Sequence, residues 1–220
     1  MIICLEDVLS EAQVGAYLKV LEDRTLFASG QRTAGPTARA LKSNLQGERG
    51  KPEIDRIAST VRESLLMHTE FCRFAQPAKI GRVLVSRYEP GMTYGAHFDD
   101  ALIDGLRTDL SFTVFLSEPD SYEGGELEMM TTMGTQAIKL PPGCAIVYPS
   151  DLMHAVKPVD SGVRLAVVGW VQSKVRLLEQ RTILYELAST TAALADASAP
   201  ADALTRLKYV QNNLLRLWAQ

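Results

Sequence analysis

Apolar positions early in the chain recur at three- and four-residue intervals. In "SEAQVGAYLKVL", Ser10 and Gln13 stand at capping-box spacing, and Val14, Tyr17, Leu18 and Leu21 then share one helical face. A second such run follows Pro52, whose nitrogen carries no hydrogen to leave unpaired in a first helical turn. Its Ile54, Ile57, Ala58, Val61 and Leu65 again fall on one face, so the first third of the chain is expected to be mostly helical. Near Lys79 the pattern changes. Short β-branched and aromatic runs ("KIGRVLVSRYE", "DLSFTVFLSE", "CAIVYP", "VRLAVVGWVQS") are broken by "EPG", "PDSYEGG", "LPPG" and "DSG", as in an antiparallel sandwich or barrel. Helical spacing returns past Ser173 in "KVRLLEQRTILYELAST". "ADASAPADA" then reads as a small-residue linker before a last helix, which sets Leu204, Leu207, Gln211, Leu214, Leu215 and Trp218 along one broad face. That face is expected to pack within the chain; a homo-oligomer seam between two copies is its alternative use. The expected division is a helical segment over 1–77, a β domain over 78–174 and a helical segment over 175–220.

Composition narrows the partners. The 220 residues carry 23 basic and 26 acidic side chains, a net charge of -3, which offers no broad cationic surface for nucleic acid. Cys4, Cys72 and Cys144 are odd in number and set among apolar neighbours, the pattern of reduced, buried thiols rather than of a disulfide framework. "MIICLEDVLS" meets Glu6 and Asp7 without a basic lead, and no later stretch approaches the roughly 20 apolar residues of a membrane span. A soluble, cytoplasmic protein with no membrane partner is the expectation.

Candidate chemistry starts at "YEPGMTYGAHFDD". In an extended chain residues i and i+2 point to the same side, so His97 and Asp99 can offer an imidazole and a carboxylate to one point. Alone, the pair is a weak signal. His154, in "YPSDLMHAVKPV", completes two histidines and one carboxylate, a set that suits ferrous iron in oxygenases because further coordination positions stay open. The remaining histidine, His68, lies near a predicted helix end and receives no role. Ten residues beyond His154, strand alternation puts Arg164, Ala166, Val168 and Trp170 on one face. An inward arginine demands an anion, either an internal acid or a carboxylate arriving on a ligand.

The pattern His97-x-Asp99, His154, Arg164 resembles the iron(II)- and 2-oxoglutarate-dependent dioxygenases of the prolyl/lysyl-hydroxylase type, and more closely the bacterial PKHD-type hydroxylases. "RYEPGMTYGAHFDD", "LRTDLSFTVFLSEPDSYEGGEL", "LPPGCAIVYPSDLMHAVKPVDSGVRLAVVGWVQS" and "TAGPTARALKSN" carry the likeness over nearly the whole chain. It implies a mainly β fold with flanking helices: a double-stranded β-helix (jelly-roll or cupin-like) core between N-terminal and C-terminal helices. It further implies Fe(2+) held by His97, Asp99 and His154, with Arg164 on the distal carboxylate of 2-oxoglutarate and Tyr88 beside that cosubstrate. The implied reaction hydroxylates a substrate while 2-oxoglutarate is decarboxylated to succinate and carbon dioxide, with L-ascorbate as reductant. Phe115 departs from a related pattern in which a tyrosine helps the arginine, which leaves Ser111 or Thr113 as candidate helpers. Gly124 and Gly125 are accounted for by a tight turn, and alternation turns Asp100 away from the metal. Two rival readings stand beside this one: a zinc-dependent hydrolase or isomerase on a cupin-like barrel, and a non-catalytic iron or 2-oxoglutarate sensing module. The substrate is left open between a peptide, an amino acid and a siderophore-like metabolite. Arg39, Lys42 and Asn44 either border its entrance or belong to a solvated loop.

Overall fold

A computed structural model describes residues 1–33 and 39–220. The chain opens with β1 (Ile3–Leu5), α1 (Glu11–Val20), β2 (Phe27–Ser29), β3 (Lys42–Ser43) and β4 (Leu45–Gly47), followed by α2 (Pro52–Met67) and α3 (Thr69–Ala75). The middle holds β5 (Pro77–Tyr88), β6 (Thr93–His97), β7 (Leu102–Ile103), β8 (Leu106–Arg107), β9 (Leu110–Phe115) and β10 (Tyr122–Gly124). Then come β11 (Leu127–Thr131), β12 (Gly134–Ile138), β13 (Ala145–Pro149), β14 (His154–Val156), β15 (Val159–Gly162) and β16 (Arg164–Ser173), before α4 (Leu178–Asp196) and α5 (Ala201–Trp218).

Two antiparallel sheets form the core. One has seven strands in the order β1-β13-β9-β16-β5-β4-β2, the other five in the order β12-β11-β14-β6-β3. The seven-stranded sheet is buried on both faces, so β9 is buried at all six positions, its polar Ser111 and Thr113 included. Leu110, Phe112 and Val114 of β9 face the helices, where they join Val85, Val167, Ile57, Val61 and Leu65 in one apolar cluster. Phe115, Tyr88, Ile146 and Tyr148 face the other sheet and meet Leu127, Met129 and Val156 there.

The helices form where their sequence periods place them. Ser10 and Gln13 close a full capping box on α1, and Pro52 occupies the first turn of α2, which buries Ile54, Ile57, Val61 and Leu65. His68 acts as a structural link. Its Nδ1 accepts from Phe71 N at the start of α3, so Nε2 carries the proton and donates to Glu6 O at 3.0 Å. At the far end α5 lays its half-buried Leu204, Leu207, Gln211, Leu214, Leu215 and Trp218 on α4. Gln220 N donates to Lys174 O at 2.8 Å, tying the C-terminus back to the end of β16.

One expectation needs extending and another needs correction. Beside its helices the first third also supplies short strands: β1 joins β13, β2 and β4 extend the sheet beyond β5, and β3 pairs with β6. Strands of two or three residues are too short to show an alternation, and long-range pairing alone makes them. The thiols are free as expected, yet Cys4 is exposed and Cys72 and Cys144 are only half-buried. Among the described residues no helix is long and apolar enough to cross a membrane. Of "TAGPTARALKSN", positions 34–38 lie outside the described residues.

Candidate metal centre and its cavity

His97 closes β6 and His154 opens β14; the two strands pair with these residues in register, and the rings lie 4.3 Å apart by centroid. Each Nδ1 stands 2.8 Å from the carbonyl oxygen two residues earlier, Gly95 O for His97 and Leu152 O for His154. A carbonyl can only accept, so each Nδ1 donates and each Nε2 keeps its lone pair for a metal. Asp99, two residues past β6, is anchored through its N–H to Ser150 O at 3.0 Å. Ser111 donates to Asp99 Oδ2 at 2.5 Å and shares a 2.8 Å hydrogen bond with Ser150. One ligand atom from each of His97, Asp99 and His154 lies within 4.8 Å of the others, the one such group among the described residues. Burial, with the neighbouring His154 second, depresses the His97 pKa to about 4, so its imidazole is neutral at pH 7 as a ligand must be.

A cavity of about 380 Å³ opens on these side chains, with Arg164 and Tyr88 also in its wall. Arg164 is only 2% exposed and its Nε has no hydrogen-bond partner. Its guanidinium carbon sits 5.3 Å from the Tyr88 ring and 5.6 Å from the Phe115 ring. No ion pair joins it to an internal carboxylate among the described residues. Burial pushes the Tyr88 phenol up to about 12, against the pull of the Arg164 charge, so the hydroxyl keeps its proton and can donate it to an acceptor.

The helper of Arg164 is neither Ser111 nor Thr113. Ser111 serves Asp99, Thr113 serves the Tyr148 hydroxyl, and the side chain beside Arg164 is Tyr122, whose hydroxyl oxygen accepts from the guanidinium. Nothing in the spacing of "PDSYEGG" marks Tyr122 for that contact; the pairing of β10 with β15, just ahead of Arg164, creates it. The glycine pair does more than turn the chain. A Cβ on Gly125, whose φ is +63°, would stand 3.2 Å from Arg164 Cδ and 3.1 Å from the Tyr122 ring. Asp100 is exposed at the mouth, as alternation predicted. Tyr94, which sequence reasoning passed over, stacks on His97 at 3.6 Å with Lys42 Nζ 5.0 Å from its ring centre.

Residues 83–172 match the family model of the 2OG-Fe(II) oxygenase superfamily. A PKHD-type hydroxylase of Maricaulis maris is 47% identical over 220 residues, spanning the whole of both chains, and one of Parvibaculum lavamentivorans is 42% identical over 222 residues, again with full coverage. The chain belongs to the PKHD-type hydroxylases. Among solved structures, a prolyl-4-hydroxylase of Pseudomonas putida aligns with a TM-score of 0.56 at 20% identity, covering 78% of this chain and 92% of that one. A prolyl hydroxylase of Trichoplax adhaerens aligns at 0.57 and 18% identity, covering 83% and 86%. These likenesses establish the double-stranded β-helix fold. As a PKHD-type hydroxylase the chain is an iron(II)- and 2-oxoglutarate-dependent dioxygenase, with Fe(2+) and 2-oxoglutarate as the family's cofactors. The residues present fit both groups: two imidazoles and a carboxylate suit ferrous iron, and a buried guanidinium with an unpartnered Nε suits the carboxylate of a dianion.

Proposed function

We propose that the chain hydroxylates a C–H bond of its substrate while 2-oxoglutarate is converted to succinate and carbon dioxide, with His97, Asp99 and His154 as the iron ligands. Arg164 and Tyr88 are assigned to the cosubstrate. The reading rests on one observation: a three-donor cluster and a buried arginine with an unpartnered Nε share a single cavity. When bound, iron(II) and 2-oxoglutarate supply the oxygen activation. The chain supplies aim. Gly95 O and Leu152 O hold both imidazoles in the ligating tautomer, and Ser111 fixes one Asp99 oxygen so that the carboxylate keeps its orientation. Arg164 offers paired N–H donors to a carboxylate and Tyr88 a protonated phenol, while Leu127, Val156 and Val168 in the same wall exclude water. L-ascorbate is assigned as the reductant that restores ferrous iron, and the three free thiols favour a reducing, cytoplasmic setting.

Anaerobic addition of iron(II) and 2-oxoglutarate tests the proposal. A visible charge-transfer band is expected, followed by succinate once oxygen is admitted. A zinc hydrolase gives neither signal, and a sensor gives the band without turnover.

A further inference from the structure

Arg164 stands in the cavity wall on a long, rotatable side chain, and the depth at which its guanidinium stops sets the length of the dianion that can reach both it and the metal ligands. The Tyr88 and Phe115 rings, 5.3 and 5.6 Å from the guanidinium carbon, confine it sideways. Attraction to a ring face is weakly directional, so these contacts alone let the group slide along the cavity. A hydrogen bond is directional. One joins the guanidinium to the Tyr122 hydroxyl, while Nε stays without a partner.

Tyr122 is itself held firmly. It is 3% exposed, pairs with Gly162 where β10 meets β15, and does not line the cavity. Lys139, just past β12, puts its Nζ 4.0 Å from the centre of the Tyr122 ring and donates to Tyr122 O at 2.8 Å, so one cation grips both the ring and the backbone of the same residue. The Glu126 carboxylate, 3.8 Å from that Nζ, keeps the ammonium in place. Between the phenol and the arginine the chain carries no side chain: a Cβ on Gly125 would lie 3.1 Å from the Tyr122 ring and 3.2 Å from Arg164 Cδ. Glycine at this position lets the ring and the arginine stem close on each other.

We infer that Tyr122, braced by Lys139, is a positioning residue that fixes the depth of the Arg164 guanidinium, so that the cavity selects a five-carbon 2-oxo dicarboxylate over the homologue one methylene longer. This rests on the assignment of Arg164 to the cosubstrate and supplies a cause for chain-length discrimination. A guanidinium tied to a fixed phenol cannot retreat to admit another methylene.

The test titrates the visible charge-transfer band of iron(II)-loaded protein, without oxygen, using 2-oxoglutarate, the longer 2-oxoadipate, and 2-oxopentanoate, which has the same chain without the distal carboxylate. The wild type is expected to bind 2-oxoglutarate at least about tenfold more tightly than either of the others. Tyr122→Phe keeps the ring and its Lys139 contact and removes one charge-assisted hydrogen bond. It should weaken 2-oxoglutarate about tenfold, leave 2-oxopentanoate unchanged and narrow the preference over 2-oxoadipate by a similar factor. In an Arg164→Ala background the same change should do nothing further. Lys139→Met should give a smaller loss, about threefold, again confined to ligands with the distal carboxylate. Wild-type affinity for 2-oxoglutarate in Tyr122→Phe overturns the inference, as does a loss shared by 2-oxopentanoate, an unchanged ratio to 2-oxoadipate, or an effect that persists without Arg164. Should Tyr122→Phe fail to fold, Lys139→Met decides, and unchanged 2-oxoglutarate affinity there overturns the inference. A wild type that binds 2-oxoglutarate no more tightly than 2-oxopentanoate removes Arg164 from the cosubstrate and sinks both readings, whereas one that prefers the dicarboxylates but ignores their length sinks the inference alone.

Discussion

The two faces of the seven-stranded sheet are built from neighbouring residues of the same strands, yet they do different work. Toward the helices, β9 turns Leu110, Phe112 and Val114 into a cluster made wholly of apolar groups. Toward the five-stranded sheet it turns Ser111, Thr113 and Phe115, which orient Asp99, contact the Tyr148 hydroxyl and flank Arg164. β16 divides in the same way, with Leu165 and Val167 on the helix side and Arg164 facing the cavity. Polar groups that would destabilise a core are tolerated on the inner face because it leads to a cavity where a metal and an anion can satisfy them. One face supplies stability and the other chemistry, and the two are separated by a single residue of register.

Substitutions on either face can break that comparison. The largest effect is expected for Asp99→Ala, which removes the only carboxylate of the proposed ligand set: succinate formation should fall by at least about a thousandfold and bound iron should be lost, while the folded state survives. Iron content and succinate release measure it, and retained turnover would reject the ligand assignment. On the helix side, Leu65→Ala empties a fully buried position and should lower unfolding free energy by about 2–5 kcal/mol in urea titrations, with the iron and 2-oxoglutarate band unchanged in the folded protein. A band weakened in parallel would show that the two faces are coupled. Ser111→Ala sharpens the picture within one strand, since it removes the hydroxyl that holds Asp99 Oδ2; metal affinity should drop by about tenfold or more at near-normal stability, read by competitive chelation.

The smallest effect concerns Lys42. Its folded pKa of about 8 lies below the ordinary value of 10.5, so between those limits the unfolded chain binds more protons than the native one. Stability therefore gains a contribution as pH rises from about 8 to 10.5, where the penalty of burying the ammonium disappears. Below pH 8 the penalty is fully present. Lys42→Met should flatten that part of the wild-type stability-against-pH curve and raise the melting temperature at about pH 7. Superimposable curves for the two proteins would show that burying the ammonium carries no net cost.

Much of this was legible in the residues themselves. Capping and 3.6-residue spacing located α1, α2, α4 and α5, and the i, i+2 rule put His97 and Asp99 on one side of an extended segment. The short strands of the first third were not legible, nor was the burial of Lys42, Asn44 and Gln46, because a two-residue strand takes its direction from the partner it meets. Ser111 was recognised as a polar residue on the right strand and matched with the wrong partner. Alternation told which face it occupied and nothing about whether Asp99 or Arg164 stood opposite.

The amino-acid order alone determined the longer elements, the inward faces of those elements and the residue kinds able to hold a metal and an anion, since those depend on local spacing and side-chain chemistry. The tertiary structure decided which of these groups meet: His154 beside His97 across paired strands, Tyr122 on Arg164, and a lysine from the N-terminal third in the wall of a cavity built mostly by the middle one. Pairing between distant segments is set by the joint packing of two sheets and their helices, and no short window of sequence contains that information.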